Sequence, residues 1–162
     1  MTEFPPALKH ITAWLVLGTA VFLGVQAWQN QRQQSRFSVQ DGVIELRRGD
    51  DGHFHWPGRI NGVSVEFLVD TGATRTALPQ ALAQTAGLVR EGTVQSSTAG
   101  GTVQGWTGRG ELRLQGGVQV ERLPITVLPA LGSPLLGMDV LGRLRFSQTD
   151  GVLRIQPQTS KP

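Results

Sequence analysis

From Phe37 onward the chain alternates short apolar and polar runs with turn-forming clusters. Val43–Arg47 is followed by Gly49-Asp50-Asp51-Gly52, His53–Ile60 by Asn61-Gly62, and Val63–Val69 by a glycine-containing loop. A period of two within each run marks half-buried strands. The Asn-Gly pair between two such runs predicts a tight hairpin, because both central positions of a type I′ turn need positive φ. Further strands are predicted over Thr93–Ser97, Thr102–Thr107, Glu111–Leu114, Val118–Val127 and Val152–Gln156, with Gly116-Gly117 as a turn. Leu78–Gly87 reads as a short helix with Pro79 near its first turn and Gly87 just past its end. Met138–Arg143 is a second helical candidate. Many short strands with two short helices, and no solenoid-type repeat, indicate an all-β closed fold.

The amino-terminal segment has a different pattern. Residues 11–31 carry no formal charge, and Ile11 through Val25 is dominated by apolar residues. Extended through Trp28, this stretch is long enough to cross a bilayer as a helix, with Trp14 and Trp28 near its two interfaces. A cleaved signal peptide competes, since Val25-Gln26-Ala27 is a passable processing site. The expected order is therefore a flank (1–10), a transmembrane helix (11–28), a polar tether (29–36), the folded domain (37–157) and a tail (158–162). Lys9 lies on one side of the apolar stretch and Arg32 and Arg36 on the other, so charge leaves the orientation open. Ala20 and Gly24 form one small-xxx-small pair that could help two helices associate.

Composition removes several function classes. The chain has no cysteine, which excludes disulfides and a thiol nucleophile. Its formal charge of +3 is concentrated at the amino terminus. The remainder carries nearly balanced charges spread along the strands, which argues against a nucleic-acid partner. His53 and His55 share one side of their strand. Two ligands without a third are too few for a metal site, so none is assigned and no cofactor is implied.

Candidate chemistry concentrates at Phe67-Leu68-Val69-Asp70-Thr71-Gly72-Ala73, an apolar strand ending in Asp-Thr-Gly. The tripeptide alone recurs by chance, but a second motif follows about 65 residues later, Leu135-Leu136-Gly137-Met138-Asp139-Val140-Leu141. The pair resembles the retropepsin-like aspartic proteases, especially their bacterial membrane-anchored branch, over about residues 38–157. The resemblance implies a single-lobed acid-protease fold in which Asp70 is the catalytic aspartate. Thr71, Gly72, Ala73, Leu135, Leu136 and Gly137 would support its loop, and Thr98-Ala99-Gly100-Gly101-Thr102 would form the tip of a flap over substrate. It also implies that Thr71 hydrogen-bonds across a dimer axis and that the domain faces the periplasm from a bacterial inner membrane.

Aspartic proteolysis needs two carboxylates sharing a proton, and one chain offers a single suitable aspartate. The other acidic-glycine sites, at Asp41, Asp51 and Asp150, lack the apolar run and the Thr-Gly, and ordinary turn chemistry explains them. The expectation is a homodimeric, membrane-anchored endopeptidase acting on extended polypeptides. Alternatives are a catalytically silent peptide-binding relative and a structural membrane protein. Ala73 stands where pepsin-type enzymes commonly have serine, so a less acidic working pH is expected. Retroviral members usually place a polar or basic residue where this chain has Met138, so Arg75 and Asp139 are expected to form a substitute ion pair. Trp106, just beyond the flap segment, is placed either to line the substrate groove or to pack beneath it.

Overall fold

The computed structural model describes residues 14–26, 36–98 and 101–157. The chain divides between Arg36 and Phe37 into two compact units. In the first, helix α1 covers residues 14–26, 13 residues with every side chain exposed. At about 1.5 Å per residue these 13 described residues account for about 20 Å of helix. Among the described residues no helix is long and apolar enough to cross a membrane, so the expected span is unsupported there. Residues 11–13 and 27–28 of that span, the 1–10 flank, most of the tether, Ala27 of the alternative processing site and the 158–162 tail lie outside the described residues.

The second unit is all-β with two short helices. Strands β1 (Phe37–Gln40), β2 (Val43–Arg47), β10 (Arg145–Thr149) and β11 (Val152–Gln156) form a four-stranded antiparallel sheet in the order β1-β2-β11-β10. Alternation sets its inner face: Ile44 and Leu46 of β2 and Leu153 and Ile155 of β11 are buried, and the residues between them are not.

The second sheet contains β3 (His55–Ile60), β4 (Val63–Val69), β5 (Ala77–Pro79), β6 (Gly92–Thr98), β7 (Gly101–Leu114), β8 (Gln119–Leu128) and β9 (Leu135–Leu136). Its order is β3-β4-β9-β5-β8-β7-β6, and β3 also pairs with β7, so six strands close into a ring with β6 appended outside it. The predicted hairpin turn forms between β3 and β4, with Asn61 at φ 47° and Gly62 at φ 84°. Trp56, Phe67, Ile60, Leu112, Leu123, Ile125 and Leu136 fill the interior and join the inner face of the first sheet in one core. Burying side chains of this size contributes about 1.5–3 kcal/mol each before entropy is counted.

Two sequence expectations are corrected. Leu78 and Pro79 belong to β5, and helix α2 (Gln80–Thr85) starts only after them. The reason is tertiary: Ala77–Pro79 runs parallel to β8, and Ala77 also faces Leu135. The strands expected at Thr102–Thr107 and Glu111–Leu114 are one continuous 14-residue strand, β7. Helix α3 is Met138–Leu141.

Candidate active site

Asp70 stands where β4 leaves the sheet. Ser64 and Glu66 are exposed while Val65 and Phe67 are buried, so the strand is fixed to the core and cannot slip without moving Asp70. On its other side β4 runs parallel to β9, with Leu68 opposite Leu135 and Val69 opposite Leu136. The ladder continues one residue further, where the Asp70 amide donates to the Leu136 carbonyl at 3.0 Å. The Leu-Leu-Gly motif is therefore the strand that sets the position of Asp70.

Beyond Asp70 the chain closes on itself. The Gly72 amide donates to Oδ1 of Asp70 at 2.8 Å, and the Ala73 amide to the Asp70 carbonyl at 3.3 Å. Among the described residues Gly72 supplies the one hydrogen bond to the Asp70 carboxylate. Thr71 and Gly72 are exposed and Asp70 is half-buried. A half-buried carboxylate thus sits in a hydrogen-bonded loop whose tip is open.

The back of the loop is stapled to α3. The Met138 amide donates to the Ala73 carbonyl at 2.8 Å. Thr76, fully buried, donates its amide to both oxygens of Asp139 at 3.0 Å and its hydroxyl to Oδ1 at 2.8 Å. Its hydroxyl accepts from the Gly137 amide at 3.3 Å, and its carbonyl accepts from the Thr126 amide at 3.0 Å. Gly137 is needed for close approach: a Cβ there would lie 2.7 Å from the Arg75 carbonyl oxygen and 2.8 Å from the Thr76 nitrogen.

The structure thus brings Asp70, Thr71, Gly72 and Ala73 together with Leu135, Leu136 and Gly137. It does not form the expected Arg75–Asp139 ion pair. Asp139 accepts from Thr76 instead, and no ion pair joins it to Arg75 among the described residues. Thr76 escaped the sequence reading. Its signal was a hydroxyl directly before the apolar Ala77-Leu78 pair, a polar group entering the core that must find a partner.

The expected flap segment falls on the β6–β7 hairpin, with Ser97 opposite Thr102 and Thr98 opposite Gly101. Ala99 and Gly100, its expected tip, lie outside the described residues. Trp106 is half-buried and packs against the core. His53 is exposed, and His55 bonds to Asp51 through Nε2 at 2.8 Å. No group of three or more metal-ligating side chains occurs among the described residues.

Residues 56–143 match the family described as "gag-polyprotein putative aspartyl protease". The chain is 40% identical over 52 residues to an uncharacterized protein, RP867, of Rickettsia prowazekii, a match that covers 32% of this chain and 22% of that relative. Among solved structures it resembles a retropepsin-like aspartic protease from Rickettsia conorii, at 28% identity and a TM-score of 0.57, covering 74% of this chain and 93% of that one. A weaker likeness, at 22% identity and a TM-score of 0.46, is to the EIAV protease complexed with the inhibitor HBY-793, covering 54% and 84% of the two chains. By its matched family and its fold, the chain belongs to the retropepsin-like aspartic proteases.

Proposed function

We propose that the protein is an aspartic endopeptidase that acts as a homodimer, each copy supplying Asp70 to one catalytic pair. The observation that carries this reading is the Asp70 loop: a single aspartate whose backbone amide is tied to the Leu136 carbonyl and whose carboxylate accepts the Gly72 amide, with Thr71 and Gly72 exposed at the tip. Two such carboxylates about 3 Å apart cannot both ionise, so they share one proton. The ionised member takes a proton from water as that water attacks the scissile carbonyl, and the protonated member donates to the carbonyl oxygen. The exposed hydroxyl of Thr71 is suited to bonding across the two-fold axis. Substrate would lie extended under the β6–β7 hairpin, and no cofactor takes part.

The same proposal places the domain on a membrane through the 11–28 segment. Support comes from the apolar side chains of α1, with Trp14, Leu15, Val16 and Phe22 all exposed. In a bacterium this would be the inner membrane, with the domain on the periplasmic side.

Asp70→Asn tests the chemistry, because the amide keeps the size of the side chain but cannot act as the base. We expect peptide hydrolysis to fall by at least 10³-fold, on the order of the 10²–10⁴ that general acid–base groups contribute, with the circular dichroism spectrum unchanged. Activity within tenfold of wild type would remove the assignment. Peptide binding unchanged in Asp70→Asn, with no hydrolysis by the parent chain, would mark a silent binding module instead.

A further inference from the structure

We propose that Arg75 selects the substrate, taking an acidic side chain within about four residues of the scissile bond on each side of it. This rests on the reading that two copies pair Asp70 over an extended peptide, and it names the class of peptide that they prefer.

Thr76 occupies both oxygens of Asp139, which leaves Arg75 without that carboxylate. Among the described residues no ion pair or side-chain hydrogen bond engages the Arg75 guanidinium, and the residue is exposed. Its backbone, by contrast, is held on both flanks. The Ala73 carbonyl accepts the Met138 amide at 2.8 Å, the Thr76 amide is bound by Asp139, and the Arg75 carbonyl lies against Gly137. An unpaired cation thus projects from a fixed point in the candidate catalytic loop.

That point is close to the chemistry. The Ala73 amide is bonded to the Asp70 carbonyl at 3.3 Å, which closes the turn, and Arg75 is two residues further on. At 3.8 Å per Cα step, the Arg75 Cα lies no more than about 12 Å from that carbonyl oxygen. An extended peptide rises about 3.3 Å per residue, so this span is about four substrate residues.

The surrounding segments carry little other charge. Between Phe67 and Pro79 the charged residues are Asp70 and Arg75, and the β6–β7 hairpin has none from Gly92 through Thr107. A peptide lying between loop and hairpin therefore meets one cation per copy besides the shared carboxylates. The planar fork of arginine matches a carboxylate with two parallel N–H···O bonds. Exclusion of water beneath the hairpin strengthens that attraction and equally the repulsion of a substrate lysine or arginine. Two-fold symmetry repeats the arrangement, so one Arg75 stands on each side of the scissile bond.

The test starts from any peptide that the full-length chain cleaves. Glutamate and then glutamine is placed at each of the four positions on either side of the cleaved bond, and the ratio of the two kcat/KM values is taken. Glutamine matches glutamate in size, so the ratio reads charge. In the parent chain it should reach at least about tenfold, the scale of one charge-assisted hydrogen bond, at equivalent positions on both sides. Arg75→Gln, checked for folding by circular dichroism, should bring the ratio close to one. Arg75→Lys should keep its direction, and Arg75→Glu should favour lysine over glutamine at the same positions. A ratio near one in the parent chain, or a high ratio that survives in Arg75→Gln, would overturn the inference and leave the Asp70 reading standing. A parent chain that binds peptides without cleaving them would remove the Asp70 reading, and the same ratio of dissociation constants then judges Arg75. A chain that neither binds nor cleaves any member of a peptide library would overturn both.

Discussion

Thr76 and Asp139 show how one buried hydroxyl can fix a loop. Thr76 has four hydrogen-bonding functions, donor amide, donor hydroxyl, acceptor hydroxyl and carbonyl, and each has a partner. Asp139→Ala would leave the amide and the hydroxyl proton buried without an acceptor, at about 1–3 kcal/mol for each unsatisfied group. The expected loss is about 2–4 kcal/mol, read from the urea midpoint at unchanged slope. Asp139→Asn keeps one carbonyl oxygen able to accept both donors, so it should lose less than half as much. Equal losses in the two variants would show that the charge, rather than the acceptor geometry, holds the loop. At another residue the argument turns on pH. Asp51 accepts the His53 amide at 3.1 Å and His55 Nε2 at 2.8 Å, and these bonds hold its carboxyl below the usual aspartate range. A carboxylate with a lowered folded-state pKa stabilises the fold above its unfolded-state pKa, and the contribution is lost as pH falls through the folded one. Asp51→Asn should therefore lower the urea midpoint slightly at neutral pH and converge with wild type in acid. Exposure and solvent screening keep the effect small. A gap that widened towards acid would contradict the assignment.

At the scale of elements, the hairpin turn at Asn61-Gly62 does more than reverse the chain. The Asn61 amide group donates to the Ala86 carbonyl at 2.9 Å, tying the turn to the end of α2, and its Oδ1 accepts the Glu111 amide at 2.9 Å, tying it to β7. Asn61→Gly keeps the positive φ and loses both bonds, an expected cost of about 1–2 kcal/mol. Asn61→Ala adds the left-handed penalty of about 1–2 kcal/mol. Thermal denaturation should rank wild type above Gly above Ala. The turn itself was legible because local chemistry decides it, and so were β2, β4 and β11, whose alternation matches their burial. The elements that escaped are those whose form depends on distant partners. Leu135–Leu136 is too short for periodicity to register and becomes a strand only between β4 and β5. β10 is exposed at every position and offers no alternation to read. Gly108 and Gly110 resembled a break in β7, yet a Cβ at Gly108 would lie 2.6 Å from the Val89 carbonyl oxygen. That glycine permits close packing within a continuous strand. In the candidate site the motifs were legible, whereas the Asp139–Thr76 brace was not, because it joins residues 63 apart whose meeting is set by the sheet.

For the whole molecule, the proposed half-site and the proposed anchor have a joint consequence. If hydrolysis needs two copies, activity is governed by how often they meet, and a dimer in solution dissociates on dilution. Copies held on one bilayer meet at a local concentration set by surface density, and effective concentration of this kind raises association without any new contact. The tether-free unit, residues 37–162, should therefore lose specific activity on dilution below its dimer dissociation constant. The full chain in lipid vesicles should keep its activity when the vesicle suspension is diluted in buffer. Its activity should fall when empty lipid is fused into those vesicles at constant protein, because that dilutes the copies within the surface. Activity of the full chain that followed bulk dilution and ignored added lipid would show that the 11–28 segment does not confine the domain, whatever the chemistry at Asp70. Activity of the isolated unit that ignored dilution down to proven monomer would show that a single Asp70 loop suffices, and the paired-carboxylate mechanism would fall with it.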